Sequence, residues 1–376
     1  MRLTERRLNR ATLARQLLLR REPLSAADAV RRVVALQAQE APSPYIALWN
    51  RVAGFDPADL DAAFASFRIV KATLMRITLH AVHADDYPAF HDAMVGTLRA
   101  SRLNDPRFRT SGLTTADVDA LAPDLLEFAA RPRTRVEIEG RFEPRLGERA
   151  RAAWWALRTF APVVHAPTGG PWSFGTRAAF LATRRDDPSE DREGSVRRLV
   201  RRYLEAFGPA SVADVAQFAL LGRTVVRGAV RVLGEELVPF EGPDGSRLFD
   251  VPGAPLPPED VLAPPRLLPM WDSVLLAYYD RRRLLPPEYR RVVGRVNGDL
   301  LPTLLVDGSV AGVWRPLDGA IEATAFHRLS KDAWKGLEAE ASGLLGLLAE
   351  RDPGVYGRYG HWWKRLSGED VRILSG

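Results

Sequence analysis

Two glutamines separated by one alanine, Gln37-Ala38-Gln39, sit where an apolar run meets prolines in the stretch VVALQAQEAPSPYIALWN (33–50). A glutamine amide is neither an acid, a base nor a nucleophile of use. It offers one acceptor oxygen and two N–H donors. Such a pair can hold a water or a substrate edge in register, while the reactivity has to come from the substrate. Glu40 follows directly and is a candidate general base. Lys71 is the amine nearest in sequence, and a Schiff-base lyase would need it. His80 and His83, followed by Asp85 and Asp86, resemble a metal set. On a strand the two histidines point to opposite faces, and no helical H-E-x-x-H is present. No metal is expected, and packing in or near a hairpin is the reading for these histidines. The pairs Asp186/Asp187 and Glu259/Asp260 read as solvated loop charges. P-loop, dinucleotide-binding and G-x-S-x-G motifs are missing, so no cofactor is expected. On residue chemistry alone the glutamines read as a helix end, one amide exposed and one on a carbonyl, or as a site that positions water.

The elements that must carry these residues follow from pattern. Leu3, Leu8, Leu13 and Leu17 share a face of an N-terminal helix. Gln37 falls at the end of a helix whose apolar face includes Val33, Val34 and Leu36, and APSP (41–44) cannot continue it as regular helix. Residues 190–252 give the clearest unit: a helix ended by Gly208-Pro209, a second helix capped by Ser211 with Asp214 three residues on, a turn at Gly222, a third helix RTVVRGAVRVLG and a hairpin around Pro-Asp-Gly. That is the order of a winged helix, whose helix after the turn is the usual groove reader; here it offers Arg223, Thr224, Arg227 and Arg231. The same order recurs in pattern over 114–174 and 5–83. Beyond 254 the chain is proline-rich and then shows strands separated by Asn-Gly-Asp, Asp-Gly-Ser and Asp-Gly, strong hairpin signals. The helix KDAWKGLEAEASGLLGLLAER and the aromatic YGRYGHWWKRL follow, the latter read, like Trp154 and Trp155, mainly as packing. The expected fold is mostly α with small β. It comprises three tandem winged-helix modules (1–85, 86–180, 181–253) and a final part (254–376) with a Pro-rich linker, a small β-barrel or antiparallel sheet, and a C-terminal helix.

Composition narrows the partners. The chain has 376 residues, 46% hydrophobic and 27% charged, within the range of globular proteins of several domains. Net charge is +6, and among 53 basic residues only Lys71, Lys331, Lys335 and Lys364 are lysines. Arginine suits bidentate phosphate and guanine contacts, so a polyanion is a plausible partner. There is no cysteine, which excludes disulfides, cysteine-ligated zinc, iron–sulfur clusters and thiol nucleophiles. No apolar run is long enough to span a membrane, and the Arg-rich start lacks an apolar secretory core. The expected location is the bacterial cytoplasm.

Four blocks in order along the chain, ALQAQEAPSPYIALWNR, KATLMRITLHAV, LPMWDSVLLAYYDR and NGDLLPTLLVDGSVAGVWR, resemble a bacterial family of winged-helix DNA-binding proteins, the AlkZ-like DNA glycosylases. The most telling feature is the glutamine–hydrophobic–glutamine motif, here in its two-glutamine form. The resemblance covers essentially the whole chain. It implies three tandem winged helices and a C-terminal β-barrel curved into a C around duplex DNA. It also implies excision of N7-alkylated guanine, bulky natural-product adducts and interstrand crosslinks included, in self-resistance to a DNA-alkylating toxin. It makes Gln37 and Gln39 the catalytic pair and monofunctional hydrolysis the reaction. Arg76, Thr78 and His80 match the family's R-x-T-L-H segment and are expected to touch DNA or support the site. Arg223 and Arg227 are expected on phosphates, and the tip Asn297-Gly298-Asp299, with Gly298 at its centre, in a groove. The expected partner is double-stranded DNA carrying alkylated guanine, bound by a monomer without cofactor or membrane. A non-catalytic winged-helix regulator and a protein that sequesters the toxin itself are the competing readings.

Overall fold

The computed structural model describes residues 1–183, 191–366 and 368–375; the Asp186/Asp187 pair lies outside them. The first part runs α1 (Glu5–Arg15), α2 (Ala26–Val33), β1 (Leu36–Gln37), α3 (Ser43–Trp49), α4 (Pro57–Ala65), β2 (Ile69–Thr73) and β3 (Leu79–His83). The second runs α5 (Tyr87–Leu103), α6 (Pro106–Arg109), α7 (Thr115–Phe128), β4 (Arg133–Thr134), α8 (Arg135–Leu146), α9 (Ala150–Phe160), β5 (Val163–Ala166) and β6 (Ala179–Ala182). The third is α10 (Arg192–Phe207), α11 (Val212–Ala219), α12 (Arg223–Leu233), β7 (Val238–Glu241) and β8 (Arg247–Asp250), the helix–helix–helix–hairpin order read from sequence. The last part holds β9 (Arg266–Leu268), α13 (Arg290–Val293), β10 (Thr303–Val306), β11 (Ser309–Leu317), β12 (Ala320–Ala325), α14 (Lys331–Arg351) and β13 (Asp370–Leu374).

Local signals act as their chemistry requires. Ser211 and Asp214 form the expected capping box, and Thr114/Asp117 and Thr134/Glu137 form two more. Each satisfies two otherwise orphaned N–H groups at a helix start. Asp307-Gly308 and Asp318-Gly319 make the two tight turns of the C-terminal sheet, with positive φ at both residues of each, the backbone a two-residue hairpin of this type demands. Around Gln37 the outcome differs from the helix end expected. The chain leaves α2 after Val33, reverses at Val34 (φ 75°) and enters β1, so Gln37 is a strand residue. The following prolines start a helix: Pro44 lies in the first turn of α3, where a missing N–H costs nothing.

The hairpins of the first two parts do not stand as separate wings. They merge into one six-stranded sheet, order β1-β3-β2-β5-β6-β4, joined at Lys71 opposite His165. The architecture is therefore mixed α/β, with antiparallel sheets. The last part forms an open five-stranded sheet, order β13-β12-β11-β10-β9, and its end strands do not pair. Of the barrel and the antiparallel sheet expected here, the open antiparallel sheet is the form found. α14 lies against both edge strands and β12, and it presents Trp334, Leu337, Ala341, Leu344 and Leu348 to the core. A covering helix buries the apolar face that closure would otherwise have to bury.

Arginine–carboxylate pairs tie distant segments together, three of them with an arginine that is fully buried. Arg51 reaches Asp272 with two hydrogen bonds, at 2.9 and 2.8 Å, and both side chains are fully buried. Arg15 makes a similar pair with Asp250 of β8, and Arg10 reaches Asp307 at the β10–β11 turn. Beside Arg51, the Asn50 amide donates to the carbonyls of Ile46 and Leu267. WNR (49–51) is thereby fastened to the start of the C-terminal sheet and to the PMWD turn. Leaving one member of such a pair uncompensated costs about 3–5 kcal/mol. Arg51→Ala is therefore expected to lower the unfolding free energy by about that amount in urea titrations, and the double change Arg51→Met/Asp272→Leu is expected to recover most of it. Equal losses in the single and double variants would contradict this assignment.

Candidate active site

Gln37 is buried and Gln39 is exposed, two residues apart. β1 pairs with β3 so that Gln37 faces His80 and Leu36 faces Ala81. The Ala38 N–H extends the pairing by donating to the Leu79 carbonyl at 2.8 Å. The Gln37 side chain turns forward, and its Oε1 accepts the backbone N–H of Gln39 at 2.7 Å. One buried amide thus fixes the backbone that carries the other. The Gln39 Oε1 stands 3.5 Å from the Leu79 N, at the limit of a hydrogen bond, and is free to exchange that contact for a ligand.

The β2–β3 turn beneath this pair is strained. Arg76 and Ile77 both have positive φ, 55° and 60°. For a β-branched residue this is an uncommon conformation, costing of the order of 1–3 kcal/mol per residue. The Arg76 guanidinium folds inward over the Phe218 ring of α11, 5.6 Å from its centroid, and reaches His80 Nε2 at 3.3 Å. His80 Nδ1 lies 3.1 Å from the Thr78 carbonyl. An arginine can only donate, so Nε2 accepts and Nδ1–H donates, which fixes a neutral tautomer. Burial, reinforced by the Arg76 charge, pushes His80 down to about 3. Burial and then the Arg281 charge lower Arg76 to about 9, still protonated at neutral pH. Arg76 and His80 thus lie inside, as supports under the glutamine strand. Thr78 lines the neighbouring cleft, with its hydroxyl donating to the Met75 carbonyl.

Glu40 is engaged. Arg358 forms an ion pair with its Oε1, and the Tyr359 hydroxyl donates to the same oxygen at 3.0 Å. Three residues on, the Ser43 and Tyr356 hydroxyls are 2.8 Å apart. The aromatic C-terminal segment is therefore packing, as expected, and it clamps the loop after the glutamines. Tyr359 stands edge-on to Trp271, whose Nε1–H donates to the Gly298 carbonyl at 2.9 Å. Trp362 Nε1–H donates to Asp299. The tip around Gly298 (φ 90°) is thus linked through Trp271 and Tyr359 to Glu40, with Val296 fully exposed at its end. Arg223 and Arg227 are exposed on α12 with no carboxylate partner among the described residues; Arg223 lies 5.0 Å over the Tyr279 ring.

On the other side Gln39 borders a cleft of about 230 Å³. Thr73, Thr78, Leu79, Arg102, Arg158, Thr159, His165 and Phe180 line most of the remainder. No pattern in the sequence singles out Arg102, Arg158 or His165, because each sits in an ordinary element and the merging of the two hairpins brings them to Gln39. Lys71 lies in the central strand row Leu36–Ala81–Lys71–His165, on the opposite sheet face from Gln37, His80 and Ala72. Its Nζ sits 4.4 Å over the Phe174 ring. Burial pushes it down to about 8, against a smaller upward pull from Glu40. No cluster of three or more potential metal ligands occurs among the described residues.

Residues 30–347 match the family model described as DNA glycosylase AlkZ-like. A curated relative, an interstrand DNA cross-link repair glycosylase of Streptomyces sahachiroi, is 28% identical over 353 residues, 88% of this chain and 92% of the relative. The solved structure of the Streptomyces sahachiroi DNA glycosylase AlkZ has the same fold, with a TM-score of 0.78 at 23% identity over 94% of this chain and 98% of that chain.

Lys71 gives this geometry a pH signature. Its folded value of about 8 lies below the unfolded value of about 10.4. Between these the unfolded chain binds more protons, so stability contributed by this group rises with pH across the window. Relative to Lys71→Met, the wild type is expected to gain up to about 3 kcal/mol of unfolding free energy between pH 7 and 10.5, measured by urea titration. Parallel curves for the two proteins would show that the amine is not held in this environment.

Proposed function

The chain belongs to the AlkZ-like DNA glycosylase family, and on that premise we propose that it hydrolyses the N-glycosidic bond of N7-alkylguanine in double-stranded DNA, bulky adducts and interstrand crosslinks included. The observation that carries this reading is the division of labour in Gln37-Ala38-Gln39: a buried amide holding the backbone of an exposed one at the rim of an open cleft.

Alkylation at N7 places a positive charge on the base and weakens the bond to C1′ before any protein group acts. Departure of the base along C1′–N9 returns the electron pair to the ring and neutralises that charge, so no acid is required. The remaining work is to place a water at C1′ and to stabilise an oxocarbenium-like sugar. Gln39 Oε1 accepts a hydrogen bond from that water, its oxygen bonds to C1′, and its proton passes to solvent. Gln37 keeps Gln39 in place. Glu40, paired with Arg358 and Tyr359, acts as part of the clamp rather than as the base. Lys71 is buried against the Phe174 ring and is not among the residues that line the cleft beside Gln39, which supports monofunctional hydrolysis over a Schiff base. The site opens onto a surface cleft, and a lesion too bulky to be flipped into a closed pocket can approach it. The relative described as a cross-link repair glycosylase supports that substrate range. In this reading three winged-helix units (1–85, 86–180, 181–253) and the C-terminal sheet curve around the duplex, and a cytoplasmic monomer suffices. Arg223 and Arg227 of α12 contact phosphates, Thr78 and the Gly298 tip approach the duplex beside the lesion, and Arg76 and His80 support the strand beneath.

Incubation with a duplex carrying one 7-methylguanine is expected to release the free base and leave an abasic site. Gln39→Ala and Gln37→Ala are each expected to slow single-turnover release by about 10²–10³, the scale of losing a positioned polar group, with folding intact. Full activity in both variants would remove the glutamines from the chemistry. Sequence-selective binding without base release would identify a regulator instead.

A further inference from the structure

The cleft beside Gln39 has a composition that the reaction at Gln39 does not explain. Its lining holds two arginines, Arg102 and Arg158, one histidine, His165, three threonine hydroxyls and no carboxylate. Four other clefts of the molecule each include at least one carboxylate, such as Asp214 and Asp280 in one and Glu205 and Glu236 in another. Many arginines among the described residues pair with acids, such as Arg51 with Asp272 and Arg351 with Asp61; these two form no ion pair. Arg102 donates from Nε to Thr159 Oγ1 at 2.8 Å and lies 4.6 Å over the Trp155 ring, which leaves its terminal nitrogens free of any acid. Arg158 makes no hydrogen bond or ion pair among the described residues and is exposed. The two guanidinium groups are close enough to oppose each other, and Arg102 is held below its ordinary value by burial and then by the Arg158 charge. His165 is driven to about 3 by burial, then by Lys71 and Arg158, so at neutral pH it is an uncharged imidazole with an N–H to donate. Asp105 acts on Arg102 and Glu139 on Arg158 from outside the cleft, each more weakly than the repulsion from neighbouring arginines, so two cations that face each other with no acid in the cleft are an arrangement completed by an anion. The fork of an arginine and a ring of hydroxyl and imidazole donors match phosphate oxygens.

We propose that this cleft binds one backbone phosphodiester of the DNA strand that carries the damaged base, held by Arg102 and Arg158 with donors from His165 and Thr73. The site rests on the DNA glycosylase reading and deepens it. The phosphate contact fixes the register of the sugar relative to Gln39, so that the C1′ of the neighbouring nucleotide comes to rest at the exposed amide. The threonine hydroxyls and the arginines come from the first and second parts of the chain, which explains why their hairpins are fused into one sheet: the phosphate grip and the glutamines then share one rigid frame.

The test uses the intact protein and a duplex with one 7-methylguanine. Arg158→Gln, an exposed change, is expected to weaken binding about tenfold at moderate salt and to reduce the slope of log K against log salt by about 1, the loss of one phosphate contact. Arg158→Lys is expected to restore the slope while recovering only part of the affinity, which separates the charge from any effect on folding. Neutral methylphosphonates placed one at a time at phosphates within three nucleotides of the lesion are expected to reveal one position that weakens the wild type and leaves Arg158→Gln unaffected. An unchanged slope in Arg158→Gln, or the absence of any such non-additive position, would overturn the proposal. Normal base release with an unchanged slope would sink the phosphate site alone. No base release from the wild type, with the slope and the non-additive position as expected, would sink the glycosylase reading and leave the site standing.

Discussion

Arg51 and Asp272 face each other in a bidentate pair that solvent does not reach, and the arrangement around the glutamines depends on it. The pair joins the end of α3 to the turn that follows β9. From that turn Trp271 stands against Tyr359, Tyr359 and Arg358 hold Glu40, and Glu40 lies next to Gln39. Charges removed from water are tolerated only when their geometry is nearly fixed. The pair therefore serves as a rivet between the first and last parts of the chain, set beneath the site. Asn50, bonded to the Leu267 carbonyl, adds a second fixed point one residue away.

Above that rivet, the site is a frame for groups of modest reactivity. His80 is neutral, Glu40 is occupied, and Gln37 is bonded to the backbone of Gln39. The strained turn at Arg76 and Ile77 is held by the docking of Arg76 on α11, so the third part of the chain braces the hairpin of the first. Such pre-organisation is what a reaction needs when the substrate already carries its own activation and only the orientation of water and sugar is left to supply.

Much of this was legible in the sequence because it rests on local chemistry. Ser211-x-x-Asp214 capped its helix, the Asp-Gly pairs turned their hairpins, and the order of helices around Gly222 emerged as read. Gln37 and Gln39 stood out through motif resemblance rather than through reactivity. What remained hidden depends on pairing between distant strands. Among the described residues one opposed pair, Lys71 and His165, joins the two hairpins into one sheet, and a single opposed pair leaves no periodic trace. Arg102 on α5 and Arg158 on α9 therefore carry no signal in the sequence that sets them apart from other arginines. The switch from α2 to β1 was missed for a related reason: a short strand defined by its partner β3 has no pattern of its own, and Val34 gave no glycine to mark the reversal. Strand patterns left barrel and antiparallel sheet both open, and the sheet stays open with α14 covering it, a tertiary fact that such patterns cannot express.

In the proposed reaction the charge of the lesion, and not an acid of the protein, breaks the bond. The most direct measurement compares single-turnover base release from two duplexes that differ only at one position, one holding cationic 7-methylguanine and the other uncharged O6-methylguanine. Release of the first base alone is expected, because only that base carries the charge that weakens its bond to C1′. Comparable release of the uncharged base, or of neither, would contradict it.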